Sequence, residues 1–211
     1  MHMAKFTQHG MRQMLMPLVV LSGLLLSTPG ESFAQTYPAK PVKIVVPSAP
    51  GGGTDIIGRL LAKAFTSALG QSFYVENKPG AGNLIGIEAV ANAPADGYTL
   101  LFVPSPLVLN PILYKKVNYD PIKDFAPISL AATAPNIFVI HPSVKANNLR
   151  DWIALGKKDA SALNYASAGV GTSPHMSMEL FNYMAGIQAL HVPYKGTSPA
   201  VTDLLGGQVN G

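Results

Sequence analysis

The feature that most limits what this chain can fold into is a recurring unit: a short β-branched strand, a loop of small residues, then a helix. Pro41-Val-Lys-Ile-Val-Val-Pro47 runs into Ser48-Ala-Pro-Gly-Gly-Gly-Thr-Asp55, and residues 56–69 then carry apolar positions at helical spacing up to Gly70. Phe73-Tyr-Val75 leads into Asn77-Lys-Pro-Gly-Ala-Gly82 and a helix over 83–92; Tyr98 to Val103 is a third strand. Leu163-Asn-Tyr-Ala166 leads into Ser167-Ala-Gly-Val-Gly-Thr-Ser-Pro-His175 and a helix over 176–185. Strands separated by helices pair in parallel, so the pattern predicts an α/β fold.

Elsewhere the signals are plainer. Residues 128–132 and 136–140 read as strands, 149–156 as a helix, 191–194 as a last strand and 199–205 as a last helix. Residues 104–127 are proline-rich and read as irregular. Trp152, Met176, Met178 and Met184 have helical spacing and are expected in the core. Gly206 to Gly211 reads as a helix cap followed by the first residues of a strand, and a fragment of a longer protein is the expectation.

Composition removes several classes of function. Hydrophobic residues make up 48% and charged residues 12%, enough apolar matter to bury a core. Fifteen Lys and Arg against eleven Asp and Glu give a net +4, thinly spread, so nucleic acid is not expected as a partner. The absence of cysteine excludes a disulfide scaffold, a thiol nucleophile and cysteine-ligated metal. At the N-terminus, Lys5 and Arg12 precede an uncharged apolar run from Met14 to Leu26, and Ser32-Phe33-Ala34 forms a small-x-small site. That run is shorter than the roughly 20 residues of a membrane-spanning helix. It reads as a cleavable export signal over residues 1–34, cut after Ala34, which predicts a periplasmic protein.

The loops set the chemistry. A helix that begins at Gly51-Gly52-Gly53-Thr54-Asp55 offers unpaired N–H groups and the positive end of its dipole, and glycine lets an anion approach closely. Open α/β sheets bind ligands beyond the carboxyl ends of their strands, where this loop lies. The alternative is a tight turn capped by Asp55 or Thr54. With a second such loop at Ser167–His175, two helix N-termini facing each other across a cleft would suit a ligand with two carboxylates. Two phosphate motifs fail. Gly53-Thr-Asp-Ile-Ile-Gly58-Arg59-Leu60 lacks the lysine and hydroxyl of a P-loop, and Gly80-Ala-Gly82-Asn-Leu-Ile-Gly86 has one residue too many for a dinucleotide fingerprint.

Catalytic constellations are thin. His175 and His191 lack a nucleophile elbow and a metal spacing, so no catalytic residue, metal or cofactor is expected. His175 reads as a ligand contact or a supporting hydrogen-bonder, and His141 and His191 as structural. Asp55 either caps its helix or selects a ligand group. Tyr194 and Lys195 follow a strand end and could reach a carboxylate.

Five motifs in order then carry a resemblance: Pro47-Ser-Ala-Pro-Gly-Gly-Gly-Thr-Asp55, Val75-Glu-Asn-Lys-Pro-Gly-Ala-Gly82, Ala95-Asp-Gly-Tyr-Thr-Leu100, Asn110-Pro-Ile-Leu-Tyr114 and Val192-Pro-Tyr-Lys-Gly196. Over Tyr37 to Val209 the chain resembles the Bug family, the periplasmic receptors of tripartite tricarboxylate transporters. The resemblance implies a two-domain Venus-flytrap receptor, with residues 35–130 in the first domain, 131–211 in an incomplete second, and the C-terminal part missing. It implies a monomer that closes on a small carboxylate and hands it to a membrane permease. By the same resemblance Ala49, Gly51, Gly52, Gly53, Thr54 and Asp55 line one jaw. Ala168, Gly169, Gly171, Thr172, Ser173 and His175 line the other, with Ser105, Tyr194 and Lys195 as further contacts. Two rival readings stay open: a hydrolase or transferase using Thr172-Ser173-Pro174-His175, and a sensor that uses the same cleft for signalling. The sequence does not name the acid.

Overall fold

The computed structural model describes residues 36–159 and 161–211; the export signal read over residues 1–34 lies outside them. Strand β1 (Val42–Val46) is central, with β2 (Phe73–Asn77) and β3 (Thr99–Leu101) parallel on either side. Its β-branched residues are buried between covering layers, Val42 and Val46 completely, as expected of a parallel sheet covered on both faces. Helix α1 (Gly53–Leu69) follows β1 and ends where Gly70 turns left-handed at φ 70°. Helix α2 (Leu84–Ala91) follows β2. Val42, Ile44, Val46, Ala62 and Phe73 form this core.

The stretch 104–127 is not irregular throughout: Pro106–Leu113 forms α3, after β3. Its prolines are accommodated rather than avoided. Pro106 sits in the first turn, where no N–H is needed. Pro111, inside the helix, cannot donate to the carbonyl of Leu107, and the buried Tyr119 hydroxyl does so instead at 2.9 Å.

A second parallel pair follows: β4 (Asn164–Ser167) beside β5 (Leu190–Pro193), with α4 (Leu149–Lys158) before it, α5 (Ser173–Ala185) between the strands and α6 (Thr197–Leu205) after. Trp152, Leu163, Tyr165 and Ile187 are its core. Residues 209–211 lie along the free side of β4, where Ala166 N–H donates to Gly211 O at 2.7 Å and Asn164 and Asn210 exchange two bonds. The strand-like start read there from sequence is thus placed beside β4. Both sheets belong to one compact unit, Pro38–Gly211. Among the described residues no helix is long and apolar enough to cross a membrane.

Two further expectations fail. Residues 128–132 and 136–140 are not strands, because no neighbouring strand among the described residues takes up their backbone groups; Ile128 and Leu130 are exposed. The second stretch is held by side chains, Phe138 packing edge-on to Trp152 at 5.0 Å. Met184 is 76% exposed rather than core. The inward stripe of α5 runs through Met178, Phe181, Asn182 and Ala185, and Met184 falls between its turns.

Candidate functional site

In both sheets the loops at the carboxyl ends of the strands meet each other. Ala49 N–H, after β1, donates to Lys195 O, after β5, at 2.8 Å. Gly82, after β2, lies against the loop after β4: a Cβ added there would stand 2.8 Å from Val170 O and 2.6 Å from the Tyr114 hydroxyl. Ser105, after β3, donates its hydroxyl to Gly171 O at 3.1 Å. Asn110 of α3 donates to Gly82 O at 3.0 Å, and its Oδ1 faces Gly171. The five loops therefore form one continuous ring between the sheets.

Within the ring, Ala49–Asp55 makes close contacts with Lys195–Ser198, Gly52 lying against Thr197 N and Gly51 against Ser198. The loop Ala168–Thr172 makes close contacts with Gly82, Ser105 and Asn110. The sequence reading left out Gly82, Asn110, Thr197 and Ser198. Gly82 follows a strand and opens a helix, the same signal that marked Gly53, whereas the opposition of Thr197 to Gly52 depends on how the sheets face.

Helices α1, α2, α3, α5 and α6 all begin in this ring, and none has a side-chain cap. Helix α4 starts elsewhere and is capped normally: Asn148 accepts from the N–H groups of Arg150 and Asp151. Uncapped first turns leave donors and positive dipole ends directed at the ring.

Each loop is held from behind. Asp55 is 2% exposed; its carboxylate accepts from Gly51 N–H, Arg59 Nε and Asn77 Nδ2 at 2.9–3.0 Å. Burial raises its pKa, but those donors together outweigh burial and hold it below the usual carboxylate value. Asp55 is thus engaged by the protein, and Thr54 is half-buried beside it.

The second loop is held by hydroxyls and imidazoles. Ser167 Oγ accepts from Gly169 N–H at 3.1 Å and meets His191 Nε2 at 2.7 Å; Thr172 donates to Gly169 O. His175 Nδ1 accepts from Gly171 N–H at 3.2 Å. Its ring stacks on His191 at 4.1 Å, and His191 stacks on Tyr165 at 4.9 Å. Burial lowers the pKa of His175, and burial with the neighbouring His175 pushes His191 down to about 4. Rings from three separate elements make this stack, so no sequence motif announces it.

Ser173 is met by Asn136 Nδ2 at 2.8 Å, and no Ser173–His175 bond forms. Tyr194 donates to Asp203 at 2.6 Å, and Lys195 contributes its carbonyl to the ring while its side chain is exposed. Among the described residues no three His, Asp or Glu cluster as metal ligands. A cavity of about 360 Å³ between α5, α6 and residues 136–139 is lined mainly by apolar groups such as Phe138, Met178 and Leu204 and carries no cation. Its Ala168 and Thr197 end reaches the ring.

Parallel sheets that turn their carboxyl ends toward one another across a ring of loops define the periplasmic-binding-protein class. The tripartite tricarboxylate transporter family receptor model matches residues 57–211, and the chain belongs to that family. It is 38% identical over 197 residues to protein BugT of Bordetella pertussis, covering 91% of this chain and 60% of BugT. Rpa4515 of R. palustris, solved with adipate, superposes with a TM-score of 0.80 at 35% identity, over 82% of this chain and 58% of that one. MatC of Rhodopseudomonas palustris, solved with bound malate, gives 0.75 at 32% identity, over 82% and 60%. The chain thus spans about three-fifths of the length of these relatives.

Proposed function

We propose that this chain is a solute-binding receptor for a small organic acid, with its carboxylates held by the uncapped helix ends and hydroxyls of the ring. The observation that carries the reading is the approach of the α1 N-terminus at Gly52 to the α6 N-terminus at Thr197, with no side-chain cap on either. Two positive dipole ends brought together repel unless an anion sits between them. The adipate and malate held by Rpa4515 and MatC make dicarboxylates the first candidates.

Residues 35–130 and 131–211 act as the two jaws, lined by Ala49, Gly51–Thr54, Ser105, Ala168, Gly169, Gly171–Ser173 and Lys195; the Ser105 and Thr172 hydroxyls already donate to Gly171 O and Gly169 O, which leaves those of Thr54 and Ser173 as the hydroxyl donors. Asp55, His175 and Tyr194 support them from behind, as their internal hydrogen bonds imply. Neutral donors bind an anion without a chemical step, which suits capture and release by a monomer working with a membrane permease in the periplasm. An enzymatic role for Ser173 is disfavoured, because its hydroxyl meets an amide rather than a base.

A thermal-shift panel of mono-, di- and tricarboxylates tests this. A ligand of the native state at one hundred times its Kd stabilises by about 2.7 kcal/mol. A melting rise confined to certain di- or tricarboxylates supports the reading; no rise with any acid contradicts it.

A further inference from the structure

The contact between His175 and Gly171 has a consequence that binding alone does not require. Gly171 stands at a crossing point: its carbonyl accepts from Ser105 across the ring, and its Cα packs toward Asn110 and Leu113 of α3. Its N–H, in turn, points at His175 Nδ1. An imidazole that accepts at Nδ1 carries its one proton on Nε2, so the next proton can go only to Nδ1. There it would face a second N–H, and the bond that holds Gly171 would become a donor–donor clash.

We propose that His175 is a proton-operated latch on the loop Gly169–Thr172: neutral, it fastens the Gly171 amide, and one proton at Nδ1 releases it. The surroundings favour the fastened state at neutral pH. His175 of α5 stacks on His191 of β5, a ring that stays neutral until about pH 4, and His191 lies on Tyr165 of β4, so the imidazole sits among uncharged rings. Glu179 of α5, which accepts from the Tyr165 hydroxyl, opposes this with its negative charge. From α3 the groups facing Gly171 are neutral, Asn110 and Leu113. Burial outweighs Glu179 and lowers the pKa of His175, so release begins on the acid side of its ordinary 6.5. Weaker anion capture in acid would follow, and that consequence rests on the receptor reading; the latch does not.

The test needs no ligand. The imidazole nitrogens of His175 are followed by 15N NMR, and hydrogen exchange of the Gly171 amide, corrected for its intrinsic rate, is measured between about pH 7.5 and pH 5. The expected results are an Nε2–H tautomer at neutral pH and a loss of Gly171 protection of about tenfold or more that tracks the imidazole titration. In His175→Asn, whose amide oxygen can replace Nδ1 as acceptor but does not titrate, protection should persist and lose its pH dependence. An Nδ1–H tautomer in the unmodified protein overturns the proposal even if His175→Asn fails to fold. So does Gly171 protection that is constant through the titration, or equal acid loss in His175→Asn. Because these readouts are ligand-free, a latch that fails leaves carboxylate melting shifts intact, and a receptor reading that fails leaves the latch standing.

Discussion

The two glycine-rich loops look alike in sequence and are fastened by different chemistry. The loop after β1 is tied by one carboxylate, Asp55, with Arg59 and Asn77 around it. The loop after β4 is tied by hydroxyls and a stack of two imidazoles and a phenol. The same backbone geometry therefore has two different pH ranges of failure. A carboxylate held below 3.8 keeps its contribution above that value and loses it only as pH falls through the folded pKa. A histidine held below 6.5 is protonated more readily in the unfolded chain, so stability falls as pH drops below 6.5 and levels off near the folded value.

The sharpest way to break the comparison is to remove the carboxylate. Asp55→Ala leaves Gly51 N–H without its acceptor and Arg59 without its carboxylate, while Asn77 keeps only Ser48 O as acceptor and Arg59 only Asn77 Oδ1. A loss of about 3 kcal/mol in urea unfolding at neutral pH is expected, moderated because Arg59 is half exposed. Next is the pH dependence itself. With His191 pushed from 6.5 down to about 4, stability should decline by roughly 3 kcal/mol across that window. His191→Phe keeps a stacking ring and should flatten the decline in urea titrations at several pH values, while carboxylate affinity at neutral pH changes little.

A smaller effect tests the contact between the loops. A Cβ at Gly196 would stand 2.9 Å from Ala49 N, where the backbone cannot yield without moving the ring. Gly196→Ala should weaken carboxylate binding about tenfold, or 1.4 kcal/mol, in calorimetric titration, with the far-ultraviolet spectrum unchanged. The smallest expected change is Tyr194→Phe. It removes the hydrogen bond to Asp203 that, with burial, pushes the phenol up to about 12, and should cost about 1 kcal/mol of stability.

Much of the first sheet was legible because each signal there is local. The β-branched run 42–46, the glycine stop at Gly70 and the loop before α1 all act within a few residues. Helix α3 was not legible, since its prolines argue against a helix until Tyr119 is seen to satisfy Leu107. Residues 128–140 carry strand composition, yet composition cannot supply a partner strand. In the site, the loops were readable as helix ends but their pairing was not. Whether Gly52 meets Thr197 or the second glycine loop is decided by how two sheets face, which no spacing encodes. His191 was readable as structural, but the stack it makes with His175 and Tyr165 joins residues 165, 175 and 191 only in space.

If anions are gripped between helix ends on opposed sheets, as proposed, Gly53 offers the most direct access to the grip. Its Cβ position has no heavy atom within 4 Å, and side chains on a first helical turn lean toward the N-terminus. Gly53→Leu should therefore fold normally while filling the space in front of α1. Calorimetric titration of both proteins with adipate is the decisive measurement. Binding to the unmodified chain and none to Gly53→Leu at equal melting temperature is the expected result; equal affinity in the two proteins would rule out a grip in front of α1.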